Sequence, residues 1–188
     1  DAASPSAYGR TKAQAEAAVR AVYPDAVILR PSLVFGAGDS FLNRFAALAS
    51  MAPALPLIGG GHTKFQPVYV DDVAQAAVKG ITGQATGIYE LGGPEVESFK
   101  GLMKKMLTVI QRRRLVLNVP FFAANAIGNV LDFVAFATGG LIRNSLLTRD
   151  QVLSLRSDNV VSAGAKTLSG KGSIVDVRQA CHGHLQIN

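Results

Sequence analysis

Residues 4–36 of this chain read SPSAYGRTKAQAEAAVRAVYPDAVILRPSLVFG, and this stretch decides the fold. Ser4-Pro5 is typical of a helix start, an N-cap followed by proline at the first helical position. The helix that follows is expected to run for about four turns, because one face repeats at Tyr8, Lys12, Ala15, Val19 and Val22. After Tyr23-Pro24-Asp25, the apolar run Ala26–Leu29 predicts a buried parallel strand that stops at Arg30-Pro31. A helix followed closely by a buried strand is one repeat of a layered α/β fold.

The rest of the chain continues the alternation of helix and extended segment. Extended pieces are predicted at 55–58, 65–70, 87–91 and 115–119, each with apolar or β-branched residues. Helices are predicted from Asp39 or Ser40 to about Met51, from Asp71-Asp72, from Ser98 to about Gln111, over 120–138, and from about Thr148. From about Ser169 the glycines break any periodicity, and we expect a poorly ordered tail.

Composition and charge exclude several classes of protein. The 188 residues are 48% hydrophobic with a formal charge of +6, but the basic residues are scattered apart from Arg112-Arg113-Arg114, which favours a solvated face over a nucleic-acid site. The single cysteine, Cys181, forms no intramolecular disulfide and is compatible with a reducing compartment. No secretory signal is visible. The apolar stretch 120–138 contains Asn125, Asn129 and Asp132, so we expect a core or partner-docking helix with peripheral rather than spanning membrane contact.

Tyr8 and Lys12 are the strongest candidates for chemistry. Four residues apart on a helix, their side chains lie on one face and can approach a common ligand. A free tyrosine has a pKa of about 10, and a neighbouring ammonium group favours its phenolate form. The pair is therefore a candidate general acid/base with its tuning group, although surface helix residues give the same spacing by chance. In an open α/β sheet, ligands collect beyond the carboxyl ends of the strands, where the loop from Arg30 to Gly36 falls.

A phosphate-binding fingerprint is absent from the sequence. Gly36-Ala37-Gly38 lacks a third glycine at the required spacing, and Gly59-Gly60-Gly61 precedes an extended stretch rather than a helix. Either the chain binds no dinucleotide, or it is a fragment whose other half carries that loop.

Other motifs are interpreted as structural. His62 has no second metal ligand nearby and is expected to be exposed, and Cys181-His182-Gly183-His184 supplies too few ligands for a structural zinc site. Asp71-Asp72 could form a catalytic carboxylate pair, but at a helix start they are more often caps and dipole partners. We predict no metal site.

Three motifs in order carry a family resemblance. They are YGRTK at 8–12, LRPSLVFG at 29–36 and PVYVDDVA at 67–74, and the chain resembles extended and atypical short-chain dehydrogenases/reductases of the epimerase/dehydratase kind. Three further motifs, SFLNRF at 40–45, QPVYV at 66–70 and LTRDQV at 147–152, are most similar to the family of nucleotide-binding accessory subunits of respiratory complex I and its bacterial relatives. The resemblance extends from Asp1 to about Leu168.

The resemblance implies a fold, a cofactor and site residues. The chain would be the C-terminal part of a Rossmann-type parallel sheet, with half of the dinucleotide-binding domain and some lobe insertions at 1–92, a smaller mixed α/β lobe at 93–168 and an atypical tail at 169–188. NADP(H), or NAD(H), would be the ligand. Tyr8 would be the acid/base residue, Lys12 would hold the nicotinamide ribose, and Pro31, Ser32 and Val34 would approach the nicotinamide.

The same resemblance leaves the activity open. The main hypothesis is a complex I accessory subunit or assembly-related protein in which NADP(H) is mainly structural, bacterial cytoplasmic at the inner membrane or on the matrix side of a mitochondrion. The alternatives are a free-standing NAD(P)-dependent reductase or epimerase that uses Tyr8 and Lys12, and a pure binding module. The segment at 65–69, FQPVY, departs from the Arg-Asp-Tyr-Val-His pattern of sugar-nucleotide enzymes, which disfavours a nucleotide-sugar substrate.

Overall fold

The computed structural model describes residues 3–83, 85–137 and 149–166 of the chain. Its helices are α1 (Ala7–Val22), α2 (Leu42–Met51), α3 (Val70–Ile81), α4 (Phe99–Val109), α5 (Phe121–Ala137) and α6 (Arg149–Ser154). Its strands are β1 (Val27–Pro31), β2 (Val34–Phe35), β3 (Ala54–Ile58), β4 (Lys64–Phe65), β5 (Val68–Tyr69), β6 (Gly87–Leu91), β7 (Glu97–Ser98) and β8 (Leu115–Val119). The predicted bounds of β6 and β8 are confirmed to the residue.

The described strands form four pairs, and three of them are parallel. β1 pairs with β6, β2 with β5 and β3 with β8 in parallel, while β4 and β7 are antiparallel. α3 packs on β1, β2 and β5, so a helix covers the parallel strands as in other layered α/β folds. The predicted fold class, α/β with parallel strands, is confirmed. The predicted boundary at 92/93 stays a prediction, and the β3–β8 and β4–β7 pairs join residues 54–65 to residues that follow it.

The first helix starts later than the sequence predicts. Its N-cap is Ser6, whose hydroxyl accepts the Gly9 N–H at 3.3 Å, and not Ser4. The Ser4 hydroxyl instead accepts the N–H of Ser6 at 3.2 Å. The prediction of Ser4 as the N-cap is therefore wrong, and the tertiary contacts of Ser6 described below favour a start two residues later.

The first strand also runs further than predicted. It continues through Arg30-Pro31, which pair in register with Glu90 and Leu91 of β6. Because the Arg30 guanidinium is bound by Glu16 of α1 and lies 3.9 Å from Glu90, its charge is neutralised at the strand end. Proline is tolerated here because no described strand pairs with the other edge of β1.

α3 begins at Val70, directly after β5. Its N-cap, Tyr69, makes no side-chain capping bond, and Asp71 and Asp72 lie in the first turn. The two carboxylates are therefore placed to stabilise the helix dipole, as predicted, rather than to cap the helix.

The main core lies between α2, α4 and the strands beside them. Its central residues include Phe35, Leu55, Phe99, Met103 and Met106, none more than 1% exposed. α4 buries five side chains on one face and is capped as predicted, because the Ser98 hydroxyl accepts the Gly101 N–H at 3.0 Å. α1 has no buried residue at all. The helix that carries Tyr8 and Lys12 is therefore held by polar contacts rather than by its own apolar face.

α5 occupies most of the predicted apolar segment. Within the described residues, no helix is both long enough and apolar enough to cross a bilayer. Phe122 and Val130 of α5 are 77% and 62% exposed. The predicted tail at 169–188 lies outside the described residues.

Candidate functional site

Tyr8 and Lys12 lie together on the exposed face of α1. The Lys12 Nζ is 5.5 Å from the centre of the Tyr8 ring, and Tyr8 is 64% exposed. An ammonium at this distance from the face of an aromatic ring is attracted by the ring quadrupole. Neither the Tyr8 hydroxyl nor the Lys12 ammonium has a hydrogen-bond partner among the described residues, so both polar ends are available to a ligand.

Asp150 of α6 holds the first turn of this helix. Its carboxylate accepts the Ser6 hydroxyl at 2.9 Å, the Ala7 N–H at 2.7 Å and the Tyr8 N–H at 3.4 Å. A carboxylate at a helix N-terminus satisfies N–H groups that have no partner within the helix, and it complements the helix dipole. Burial alone would raise the pKa of Asp150, but these hydrogen bonds and the nearby Arg10 charge outweigh it and lower the pKa. The backbone position of Tyr8 is thus set by a residue of α6.

A second polar contact fixes the middle of α1. The Arg30 Nε donates to both carboxylate oxygens of Glu16, at 3.0 Å and 3.1 Å. The hydrogen bond from Arg30 lowers the pKa of Glu16, and the same bond raises the pKa of Arg30. α1 is therefore tied to the end of β1 and to α6, on either side of the segment that carries Tyr8 and Lys12.

The predicted residues of the loop after β1 have separate environments. Pro31 is exposed at the end of the strand, and Val34 pairs with Val68 in β2–β5. The Ser32 hydroxyl donates to the Asn159 carbonyl at 2.5 Å and accepts the Gln66 N–H at 3.2 Å. Ser32 therefore ties its loop to residues 66 and 159.

One cavity brings α1 and this loop together. It has a volume of about 370 Å³, and both Tyr8 and Leu33 line it. Its inner wall is formed by four phenylalanines in mutual edge or tilted contact, Phe41, Phe45, Phe65 and Phe99. Lys12, Pro31, Ser32 and Val34 are not among its lining residues, so the predicted crevice that would bring them together with Tyr8 stays a prediction. The cavity itself is largely apolar.

The glycine-rich segments do not form a phosphate loop. Gly36 has a φ of +154°, and a Cβ there would lie 2.5 Å from Val70 Cγ1. The absence of a side chain at Gly36 therefore lets the end of β2 lie close to the start of α3. Gly61 has a φ of +70°, and a Cβ there would lie 3.0 Å from the Lys100 backbone nitrogen. The glycines of the described residues thus form no loop of the kind that holds a pyrophosphate.

The described residues contain no group of three or more His, Cys, Asp or Glu side chains able to hold a metal ion. His62 is exposed, as predicted. The segment Cys181–His184 lies outside the described residues.

Two features of the site were missed from the sequence. Asp150 belongs to the LTRDQV motif, but nothing in the sequence signals that it caps a helix more than a hundred residues earlier. Arg44, in the SFLNRF motif, lines the cavity and has no partner among the residues that the structure describes. α2 is amphipathic, with Leu42, Ala46 and Ala49 in the core. The helical spacing of these residues was the available signal, because it leaves residue 44 outside the core.

The chain is similar to subunits of a mitochondrial complex. It is 38% identical over 166 residues to NADH dehydrogenase [ubiquinone] 1 alpha subcomplex subunit 9, mitochondrial, from Arabidopsis thaliana, covering 86% of this chain and 41% of the relative. It is 27% identical over 164 residues to the NADH-ubiquinone oxidoreductase 40 kDa subunit, mitochondrial, from Neurospora crassa, again covering 86% and 41%. The chain thus spans about two-fifths of the length of these relatives.

A solved structure and a family model agree on the fold. The dTDP-4-dehydrorhamnose reductase of Clostridium acetobutylicum superposes with a TM-score of 0.54 at 20% identity, covering 60% of this chain and 40% of that one. This likeness shows the Rossmann-type fold alone. Residues 1–119 match the model of the RmlD substrate binding domain. On this match the chain belongs to the RmlD substrate binding domain family, within the extended short-chain dehydrogenases/reductases.

Proposed function

We propose that this chain is the nicotinamide-side part of an NAD(P)(H)-binding accessory subunit of respiratory complex I, in which the cofactor mainly stabilises the fold. The observation that carries the proposal is the adjacent pair Tyr8 and Lys12, whose polar ends have no partner among the described residues. The similarity to complex I subunits across 86% of the chain supports it, and that similarity includes the lobe that supplies Asp150.

The roles of the residues follow from their positions. Lys12 would donate to a ribose hydroxyl, and Tyr8 would bind beside the nicotinamide. Pro31, Ser32 and Val34 would form the loop wall next to it. A bound nicotinamide cofactor supplies hydride-transfer chemistry. What these residues do is bind and orient its ribose end.

The binding unit extends beyond the described residues in this proposal. α1 buries no side chain, and the second edge of β1 pairs with no described strand. Since the relatives are more than twice as long as the matched segment, a further segment is expected to cover this edge and to supply the pyrophosphate loop. Cofactor binding is therefore a property to be measured on the full-length protein.

The test uses NADPH titration of the full-length protein and of its Lys12→Met variant. Loss of a hydrogen bond from a charged donor is expected to weaken binding about tenfold. Lys79→Met, an exposed lysine on α3, is the matched control and should bind as the wild type does. Equal affinity of all three proteins would refute the role of Lys12.

A second measurement addresses the partner. The tagged full-length protein is expected to copurify with complex I from respiring membranes or mitochondria of its source. A soluble monomer with rapid turnover of a small substrate would instead establish the alternative, a free-standing reductase or epimerase.

The alternative is favoured by the presence of both Tyr8 and Lys12, which proton transfer coupled to hydride transfer requires. Under it, Tyr8→Phe would abolish turnover while leaving the protein folded. Unchanged turnover in Tyr8→Phe would exclude Tyr8 as the acid/base residue, whereas absence of turnover in the wild type would leave a binding role, as complex I subunit or as pure binding module.

A further inference from the structure

The cavity beside Tyr8 has apolar walls and very few free polar groups. Its apolar lining includes Leu33, Phe41, Phe45, Phe65, Phe99 and Leu155. Phe99 is 1% exposed and Phe65 is 6% exposed, so the inner wall belongs to the rigid core. Pockets of about 300–1,000 Å³ with such walls and a few placed polar groups are typical of small-molecule sites. A cavity of about 370 Å³ lies within that range.

Most polar groups at the cavity are already occupied. Asp150 binds the first turn of α1, and the Ser154 hydroxyl donates to the Asp150 carbonyl at 2.9 Å. The Asn159 carbonyl accepts from the Gln66 N–H and from the Ser32 hydroxyl. The Asp150 carboxylate is therefore stabilised by N–H and O–H donors of its own fold and is not free to bind a ligand's donors.

The remaining polar groups indicate the head of a ligand. Tyr8, Ser40 and Arg44 line the cavity, and their side-chain polar groups have no hydrogen-bond partner among the described residues. Arg44 is the one cation among the described lining residues. A guanidinium binds a carboxylate with two parallel hydrogen bonds. A pyrophosphate would bring two charges to a site with a single cation and four aromatic rings.

We infer that this cavity binds a linear fatty acid, with the chain against the phenylalanines and the carboxylate at Arg44. The inference rests on the proposed function, because Tyr8 is shared between the cavity and the cofactor site. A fatty acid would then be the substrate or second ligand that binds beside the cofactor. A long apolar chain matches the walls, and one carboxylate matches Arg44, the one cation among the described residues that line the cavity.

The test measures displacement of cis-parinaric acid, a fluorescent fatty acid, from the full-length protein by palmitic acid and by hexadecanol. We expect saturable binding with one site. Arg44→Gln should weaken palmitic acid binding about tenfold, because the carboxylate loses its ion pair with the guanidinium. It should leave hexadecanol binding unchanged, because the alcohol carries no charge that pairs with Arg44. Lys79→Gln is the control for removal of a cation, and Ser40→Trp should block both ligands at the cavity mouth.

Four results would overturn the inference. They are absence of saturable binding, an Arg44→Gln protein that binds palmitic acid as the wild type does, an equal loss for the alcohol, and displacement by 2-naphthoic acid as effective as by palmitic acid. If the probe and palmitic acid bind instead to the exposed apolar residues of α5, the Arg44→Gln protein should bind palmitic acid as the wild type does. NADPH affinity is measured in parallel. If the protein binds palmitic acid but not NADPH, the proposed function is refuted and this inference stands. If it binds NADPH but not palmitic acid, this inference is refuted and the proposed function stands.

Discussion

Removing the Asp150 carboxylate is expected to destabilise the fold at the helix that carries Tyr8 and Lys12. Asp150→Ala deletes three hydrogen bonds to α1, of 2.7–3.4 Å, and leaves Ser6 as the remaining cap. Loss of an N-cap costs about 0.5–2 kcal/mol, and a hydrogen bond to a charged group contributes about 1.5–3 kcal/mol. Since Ser6 still caps Gly9 and the site is only half-buried, we expect the free energy of unfolding to fall by about 2 kcal/mol.

The assay is urea denaturation of the full-length protein, with Asp25→Asn as the matched control. Asp25 is an exposed carboxylate before β1, and its substitution should change the free energy of unfolding by less than about 0.5 kcal/mol. Asp150→Asn retains an oxygen acceptor but not the charge. Its free energy of unfolding should therefore lie between those of Asp150→Ala and Asp25→Asn. NADPH affinity should weaken together with stability in Asp150→Ala, because the backbone of Tyr8 is no longer fixed.

The same substitution has a predicted pH dependence. The pKa of Asp150 is lower in the folded protein than in the unfolded chain, where it is about 3.9. Its stabilisation is therefore fully present above that unfolded value and is lost as the pH falls through the folded value. The difference between wild type and Asp150→Ala should be constant near neutral pH and should shrink in acid. An Asp150→Ala protein as stable as Asp25→Asn at pH 7 would refute the reasoning.

Three further predictions concern the core, a turn and a half-buried group of ion pairs. Phe99→Ala should lower the free energy of unfolding by about 3–5 kcal/mol in thermal or urea denaturation, because Phe99 is 1% exposed and contacts three other phenylalanine rings. Gly61→Ala should cost more than about 1 kcal/mol, because its φ of +70° and the Lys100 backbone oppose a Cβ, whereas Gly38→Ala has the positive φ without the contact and should cost less. Lys105→Gln should change stability by about 1 kcal/mol or less, and mainly at low salt, because the side chains of its ion pairs with Glu95 and Glu97 are only half-buried and solvent screens them.

Local sequence patterns predicted most of the elements. The 87–91 and 115–119 strands have the predicted bounds, and the helices at 42–51, 99–109 and 121–137 lie within one or two residues of expectation. These segments combine apolar periodicity with a polar cap or a proline at the boundary, so the signal is local. The short strands at 34–35 and 97–98 were not predicted, because two residues carry no periodicity and exist only through their partners.

The candidate site was predicted in part for the same reason. Spacing on one helix is a local property, so it placed Tyr8 beside Lys12. The cavity is lined by residues from several segments between Tyr8 and Asn159, and no one of these segments predicts it. The proposed roles of Pro31, Ser32 and Val34 stay predictions, and the structure adds that the Ser32 hydroxyl is engaged within its loop.

By itself, the sequence determined the alternation of helix and strand, the α/β class and the shared face of Tyr8 and Lys12. Each of these follows from residue spacing along a regular element. Only the tertiary structure decided that Asp150 holds the first turn of α1 and that four phenylalanines form one wall of a cavity beside Tyr8. The physical reason is that these contacts join residues far apart in the chain, and their geometry exists only after the strands have paired and the helices have packed.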